Sequence, residues 1–499
     1  MVHKHSFYFF AKKKKYMKKL LIISIYLVLA NLGYSQNFTD AVRFSNLNPT
    51  STARSLGVGG TLGAIGAEFS TLSTNPAGLG TYRHSEFVIS PGFHAYKGNA
   101  NFDGNSQDAK KTKLHLGNIG MVFNSNQTGN WKSINFGVGV NLLQKFESRK
   151  TYKGKSGTSL AQHFAERANG KSDDQFSSYN EGLAWEAEAI FPLFGETNKY
   201  GTDFDQIEDQ KAEVSENIWT YGQVREVVFG FGGNYDGKLM IGGSLGVPIV
   251  TFQQVRRYNE EDIDDNINSF NFLKFEDQFT TSGIGINGKF GLIYKPIQNL
   301  RVGFAMHSPT LLTLKDNYSR KLDYNFSFDG STGTKSAKTE PQSFDYKLVT
   351  PWKVSGSLAY VLKNIGIFSA GIEWIDHTSG AFEYETNYAD EELTANLSIE
   401  DNLKSAVNLR FGVDVGNKDF RFRAGYGIIG SPFIDQNGKR QNIGLGFGIV
   451  QEKYFLDLGY QRTLSKSKYS PYTLEDSNQP IIDFNENSDK LLLTIGFKF

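Results

Sequence analysis

The run Leu491-Leu-Leu-Thr-Ile-Gly-Phe-Lys-Phe499 alternates from Leu493 to its last residue. Leu491, Leu493, Ile495, Phe497 and Phe499 fall on one face of an extended chain, and Thr494, Gly496 and Lys498 on the other. Successive side chains of a strand point to opposite sides, so one face is wholly apolar and the other is not. The same pattern recurs upstream. Ile134, Phe136, Val138, Val140 and Leu142 alternate with Asn135, Gly137, Gly139 and Asn141. Leu300, Val302, Phe304 and Met306 alternate with Arg301, Gly303, Ala305 and His307, and Val407, Leu409, Phe411, Val413 and Val415 with Asn408, Arg410, Gly412 and Asp414. Phe420, Phe422, Ala424 and Tyr426 stand against Arg421, Arg423 and Gly425, and Ile443, Leu445, Phe447 and Ile449 against three glycines.

A soluble sandwich also alternates. Here the second face is rich in glycine and charge over many segments, which fits a wet or plugged lumen with the apolar face turned to lipid. Short connections (Asp236-Gly237, Lys363-Asn364, Gly416-Asn417) alternate with long ones. From Phe87 onward about fourteen such segments are expected. The predicted fold is therefore all-β: an antiparallel transmembrane β-barrel of about fourteen strands, with an N-terminal segment outside the wall and a helical insertion in an outer loop. A strand closing on an aromatic such as Phe499 also resembles the signal read by the outer-membrane barrel assembly machinery.

Composition agrees. The 499 residues include 52 Gly, 40 Phe and 24 Tyr with 21% charged residues, and the mean hydropathy is -0.38, too polar for a bundle of membrane helices. Leu20 to Leu32, preceded by Lys18 and Lys19, reads as the apolar core of a secretory signal, too short to anchor. Gly33 and Ser35 place cleavage after Ser35, and Met17 is the expected start, giving residues 1–35 as signal. The chain has no cysteine, so export comes without disulfides. A net charge of +1 gives no electrostatic case for nucleic acid.

Residues 36–84 precede the first strand, are rich in Gly, Ala, Ser and Thr, and read as a domain that is not part of the wall; 85–499 read as the barrel. Within it, 149–221 form a long outer-loop insertion with two helical patterns, one on Leu160, Ala161, Phe164, Ala165 and Ala168, the other on Leu183, Ala184, Ala187, Ile190 and Phe191 beside Trp185.

Motifs of chemistry are weak. Gly242, Ser244 and Gly246 satisfy G-x-S-x-G, but inside an alternating strand with no helix after it, so no catalytic residue is assigned and the chain is expected not to be an enzyme. Gly283, Gly285 and Gly288 match G-x-G-x-x-G without a βαβ unit and read as lumen glycines. The histidines, His94, His115 and His307 among them, lack zinc spacing and read as lumen or interface residues. Glu260, Glu261, Asp262, Asp264 and Asp265 lack a calcium-loop pattern and read as a solvated outer loop, with divalent cations at the lipopolysaccharide surface as the lesser reading. No metal or cofactor is expected. Inner-face Arg301, Arg410, Arg421, Arg423, Glu373 and Asp457 are expected to pair with each other or with the plug.

Thr52-Ala-Arg-Ser-Leu-Gly-Val-Gly-Gly-Thr61 and Glu68-Phe-Ser-Thr-Leu-Ser-Thr-Asn-Pro-Ala-Gly-Leu-Gly80 resemble the hatch of the FadL/TodX-type outer-membrane transport protein family. Gly285-Ile-Asn-Gly-Lys-Phe-Gly-Leu-Ile-Tyr294, Arg301-Val-Gly-Phe-Ala-Met-His-Ser-Pro309 and Thr350-Pro-Trp-Lys-Val-Ser-Gly356 look like strands of its Bacteroidetes branch. The resemblance implies a monomeric fourteen-stranded barrel in outer-membrane lipid and lipopolysaccharide, with residues 36–84 as an N-terminal hatch that plugs it. It would take up hydrophobic small molecules, long-chain fatty acids or aromatic hydrocarbons, passively, capturing them at the outer loops and passing them through a hatch-plugged lumen. It places Asn75, Pro76, Ala77 and Gly78 in the hatch near an internal ligand pocket, with Pro76 fixing a torsion and Gly78 and Gly80 permitting turns. Leu183, Trp185, Ile190 and Phe191 become candidate contacts of an apolar capture groove. It leaves open whether the hatch moves or a side opening passes ligand. The alternative it carries is a non-transporting barrel that docks a protein secretion or surface assembly.

Overall fold

The structure is a computed structural model that describes residues 38–205, 210–328, 331–434, 438–476 and 478–499. The signal expected over 1–35, with Met17 and the cleavage after Ser35, lies outside those residues.

Antiparallel strands follow one another around a closed wall of 14. In chain order they are β1 Glu86–Phe102, β2 Asn105–Asn126, β3 Trp131–Lys145 with its continuation Ser148–Ser156, β4 Ala212–Tyr235, β5 Leu239–Glu261 and β6 Phe270–Ile297. β7 runs as Leu300–His307 and Leu311–Phe328, and β8 as Ser331–Lys338, Gln342–Val349 and Lys353–Leu362. β9 Gly366–Asp376, β10 Ser405–Gly416, β11 Phe420–Ile429, β12 Arg440–Val450, β13 Tyr454–Tyr469 and β14 Ile482–Lys498 complete the circuit. β14 pairs back onto β1, from Glu86 opposite Lys498 to Asn101 opposite Asp483, so the sheet closes on itself.

The alternation expected from the sequence appears as an inverted molecule. Leu445 is 55% exposed on the outer surface while Gly444 beside it is buried, and Phe136 faces out while Asn135 and Asn141 are buried within. Large apolar side chains outside with glycine and charge inside satisfy a bilayer and not water. Trp131, Tyr235, Tyr294, Tyr360, Phe420 and Tyr454 are all exposed beside the short turns, forming the aromatic girdle of a membrane interface at that end. Among the described residues no helix is long and apolar enough to cross a membrane. The Asp236-Gly237 turn has φ of 51° and 67°, the geometry of a tight hairpin.

Two features escape the sequence pattern. β7 breaks at 308–310 and β8 at 350–352, side by side, where Pro309 and Pro351 remove ladder donors; the amide of Thr350 bonds instead to the Thr310 carbonyl at 3.0 Å. The insertion expected over 149–221 is not loop at its ends, because Ser148–Ser156 pairs with the first part of β4 and carries the wall outward.

Inside the barrel lie α1 Phe38–Ser45 and α2 Ala53–Gly57, followed by one-turn helices Phe69–Ser73 and Pro76–Thr81. α2 rests against β11 to β14 and the Pro76 turn against β3 to β6, so this segment spans the lumen from wall to wall. The outer mouth is covered by α3 Leu160–Ala168 and α4 Glu181–Glu186, whose apolar side chains pack with Phe102, Tyr152, Tyr258, Phe270, Tyr324 and Phe484 from the wall. α5 Ala389–Asn402 packs beside α1.

Candidate functional site

The lumen segment is held by side chains that the wall supplies at fixed heights. Asn75 caps the Pro76 turn: its Oδ1 accepts from the Ala77 amide at 3.2 Å, and its Nδ2 donates to the Gly63 carbonyl at 2.6 Å and the Leu292 carbonyl of β6 at 3.4 Å. Arg54 of α2 reaches Asp414 at 3.2 Å; Arg421 and Arg423 also bind Asp414, and Arg423 binds Asp457 at 2.6 Å. Arg301 donates to the Ile65 carbonyl at 2.6 Å, and Arg410 binds Glu373 at 3.0 Å. The inner charges are thus paired with each other or with the plug, as expected. Burial pushes the Glu68 carboxyl above its usual range, against the pull of hydrogen bonds from Ser70 and Thr52.

The wall glycines are the other half of this fit. A methyl group at Gly242 would overlap the Pro76 carbonyl, one at Gly444 the Leu56 carbonyl, and one at Gly425 the backbone of Gly59. Ser244 donates to the Leu72 carbonyl at 2.8 Å, so the G-x-S-x-G match is where the hatch touches β5.

Two cavities flank the hatch, and charged side chains line both. The larger, 670 Å³, opens toward the short-turn end among Arg54, Glu68, Arg301, Asp414, Arg423 and Asp457. The smaller, 90 Å³, lies above Asn75 among Glu226, Lys289, His307, Lys353, Glu373 and Arg410. The apolar volume lies higher. There α1 is surrounded by Leu143, Val224, Val250, Phe252, Leu314, Tyr346 and Phe382, with Phe44 packed edge-on to Phe146 at 6.1 Å and to Phe252 at 6.3 Å.

Beside that apolar chamber the hydrogen-bond ladder of the wall is interrupted, leaving a slot between β2 and β3. The β2–β3 ladder ends with Asn118 opposite Asn141; above it, β2 pairs only with β1 and β3 only with β4. The slot follows from a break in β3 at residues 146–147. There the Phe146 amide bonds to the carbonyl of Gly222, which stands at φ +110°. Its top is closed where the Lys155 amide bonds to Asp103 at 3.0 Å and Tyr152 packs on Phe102. Lys111 spans it to Glu147 at 2.9 Å.

No family model matches this chain, and no curated protein matches it. Among solved structures, a FadL homologue of Pseudomonas aeruginosa shares its architecture with a TM-score of 0.58 at 13% identity, over 91% of this chain and 99% of that one. The toluene transporter TodX of Pseudomonas putida aligns with a TM-score of 0.51 at 13% identity, over 90% and 98%. The chain has the FadL/TodX fold.

In that fold the sequence-derived candidates divide. Asn75, Pro76, Ala77 and Gly78 are together in the hatch, and Asn75 borders the smaller cavity. Gly78 and Gly80 are not there for left-handed turns, since neither has a positive φ; a methyl on Gly78 would strike Thr71 and one on Gly80 the Gly233 carbonyl. Leu183 and Ile190 form no exposed groove: both are buried in the core of the outer cap. α4 ends at Glu186, because Glu188 takes φ 55°, so Ile190 and Phe191 lie past the helix. Trp185 and Phe191 are half-buried, Trp185 against Phe176 and Tyr200. The acidic run is not wholly solvated either. Glu260 is buried and accepts from the Leu160 amide at 2.7 Å and from Tyr258 at 2.6 Å, holding the start of α3. The alternating pattern missed the slot, whose only sequence signal is the broken alternation at Phe146-Glu147.

Proposed function

We propose that this chain is an outer-membrane channel through which hydrophobic small molecules, long-chain fatty acids or aromatic hydrocarbons, enter passively. Solute gathered at the outer cap passes into the apolar chamber around α1 and leaves sideways through the slot between β2 and β3. The slot is the observation that carries the reading. The way straight down is blocked by a hatch tied to opposite walls, and beyond it lies a cavity rimmed by arginines and carboxylates that an apolar solute would not favour. The sideways way ends in hydrocarbon, where each buried methylene gains about 0.8 kcal/mol over water, so no energy source is needed. α1 occupies the chamber and would move aside, its Phe44 leaving Phe146 at the slot's edge. On this reading the protein works as a monomer in outer-membrane lipid, with lipopolysaccharide around the cap, inserted by the barrel assembly machinery. Uptake of dodecanoate and of toluene by cells whose own channels are deleted tests it: expression should accelerate at least one of them, and failure with both would refute it.

A further inference from the structure

Basic side chains collect on the inner side of the slot without carboxylates of their own. His94 of β1, Lys113 and His115 of β2, Lys145 of β3, Lys490 of β14 and Arg440 of β12 take part in no ion pair among the described residues. Register brings them together: His94 stands opposite both Lys113 and Lys490, and its ring lies 6.4 Å from that of His115. Lys145 and Lys490 are within electrostatic range of both rings, and Arg440 of Lys490. The nearby acids are taken. Glu147 holds Lys111, Glu486 holds Lys150 and the Tyr96 hydroxyl, and Asp489 binds Arg462. Elsewhere in the lumen the inward cations Arg410, Arg423 and Lys289 each have a carboxylate partner.

A second observation points the same way. His94 is 4% exposed and Gln461, opposite Lys490, is 1% exposed; yet Nδ1 of His94, Nδ1 of His115 and both side-chain polar atoms of Gln461 have no hydrogen-bond partner among the described residues. Buried polar atoms are nearly always satisfied, so a group of orphans beside a group of unpaired cations marks a place built for something else. Lys and Arg donors converging in a recess where cations outnumber the nearby carboxylates Glu147 and Glu486 favour an oxyanion, through charge-assisted hydrogen bonds and a focused field. On the outer face, Phe93 and Leu114 are exposed to hydrocarbon next to the same opening.

We propose that this recess binds the oxyanion head group of an amphiphile whose tail passes through the slot into the bilayer. The proposal rests on the channel reading and narrows it, because a neutral hydrocarbon gains nothing from these cations. Calorimetric titration of the purified barrel in neutral detergent, with dodecanoate, dodecyl phosphate, dodecanol and inorganic phosphate, tests it. The expected result is that the two anionic amphiphiles bind at least tenfold more tightly than dodecanol. The pair Lys145→Gln with Lys490→Gln should erase that difference, and the pair Lys145→Arg with Lys490→Arg should keep it, which separates loss of charge from loss of folding. Tighter binding of dodecyl phosphate assigns the head group to a lipid of the surrounding bilayer; tighter binding of dodecanoate assigns it to a carboxylate solute. Equal affinity for dodecanoate and dodecanol overturns the proposal while leaving the channel reading in place. Inorganic phosphate binding as tightly as dodecyl phosphate overturns the amphiphile assignment. Absence of binding by all three amphiphiles counts against both readings.

Discussion

Asn75→Ala should loosen the hatch without unfolding the wall, and its cost can be worked out from three contacts. The side chain caps the Ala77 amide, and losing an N-cap costs about 1 kcal/mol. It also satisfies the buried Gly63 carbonyl at 2.6 Å, and an orphaned buried acceptor costs about 1–3 kcal/mol. The Leu292 contact at 3.4 Å is long, and that carbonyl belongs to a strand already paired on both sides, so it adds little. The sum is about 2–4 kcal/mol, which in local opening is about thirty- to several-hundredfold. Hydrogen exchange read by mass spectrometry on peptides covering 61–82 measures it directly, with wall peptides such as 443–449 as the internal standard. Asn75→Ser retains a cap but cannot span to Gly63, so its exchange should fall between wild type and Asn75→Ala. Gly291→Ala supplies a cross-check, since a methyl there would overlap the Asn75 side chain: it should destabilise the hatch in the wild-type background and much less in Asn75→Ala. Unchanged exchange over 61–82 in Asn75→Ala, or additive effects of the two alanines, would refute the idea that this side chain locks hatch to wall.

Other outcomes follow from the cap and the wall. Glu260→Ala removes the acceptor that holds the start of α3 and should expose 157–205 to protease at about 1–3 kcal/mol lower cap stability, with the barrel intact by heat-modified gel mobility. His163, whose Nδ1 donates to the Thr473 carbonyl at 2.7 Å, has its imidazole held below the usual range chiefly by burial, then by Arg167 and Arg320. A depressed pKa means the unfolded cap binds the proton more readily. Cap stability should therefore be full above about pH 6.5, fall as the medium is acidified below it, and lose that dependence in His163→Gln. Ser244→Ala should lose one hydrogen bond to the hatch, about 1 kcal/mol, and leave uptake unchanged; a variant that abolishes function would revive a catalytic serine.

The barrel was legible because strand parity is a local property. The outward row Ile443, Leu445, Phe447 and Ile449 can be read from eleven residues, and fourteen such rows with short turns between alternate pairs admit few other folds. Helix α3 was legible for the same reason, through apolar spacing on Leu160, Phe164 and Ala168. Parity says which face a residue occupies but not what stands opposite, and there the sequence falls short. His94 and Lys490 are 396 positions apart in numbering and adjacent only because the sheet closes, so the cationic recess has no one-dimensional trace. The glycines of the inner face look like lumen filler until the hatch is seen pressed against them. Leu183 and Ile190 show the opposite error: apolar residues in an outer loop suggested a groove, but they supply the cap with a core of its own.

Lateral exit is the central claim, and a chain without cysteine allows it to be tested by cross-linking against a clean background. Thr61→Cys with Ser369→Cys, whose hydroxyls lie 2.6 Å apart, fastens hatch to wall; Lys111→Cys with Glu147→Cys, joined by a bifunctional thiol reagent, straps the slot. The decisive measurement is the rate of dodecanoate uptake in the two cross-linked proteins, each against its uncross-linked form. The account predicts near-normal uptake with the hatch fastened and at least a tenfold loss with the slot strapped. Loss on fastening the hatch, with normal uptake through the strapped slot, would contradict it.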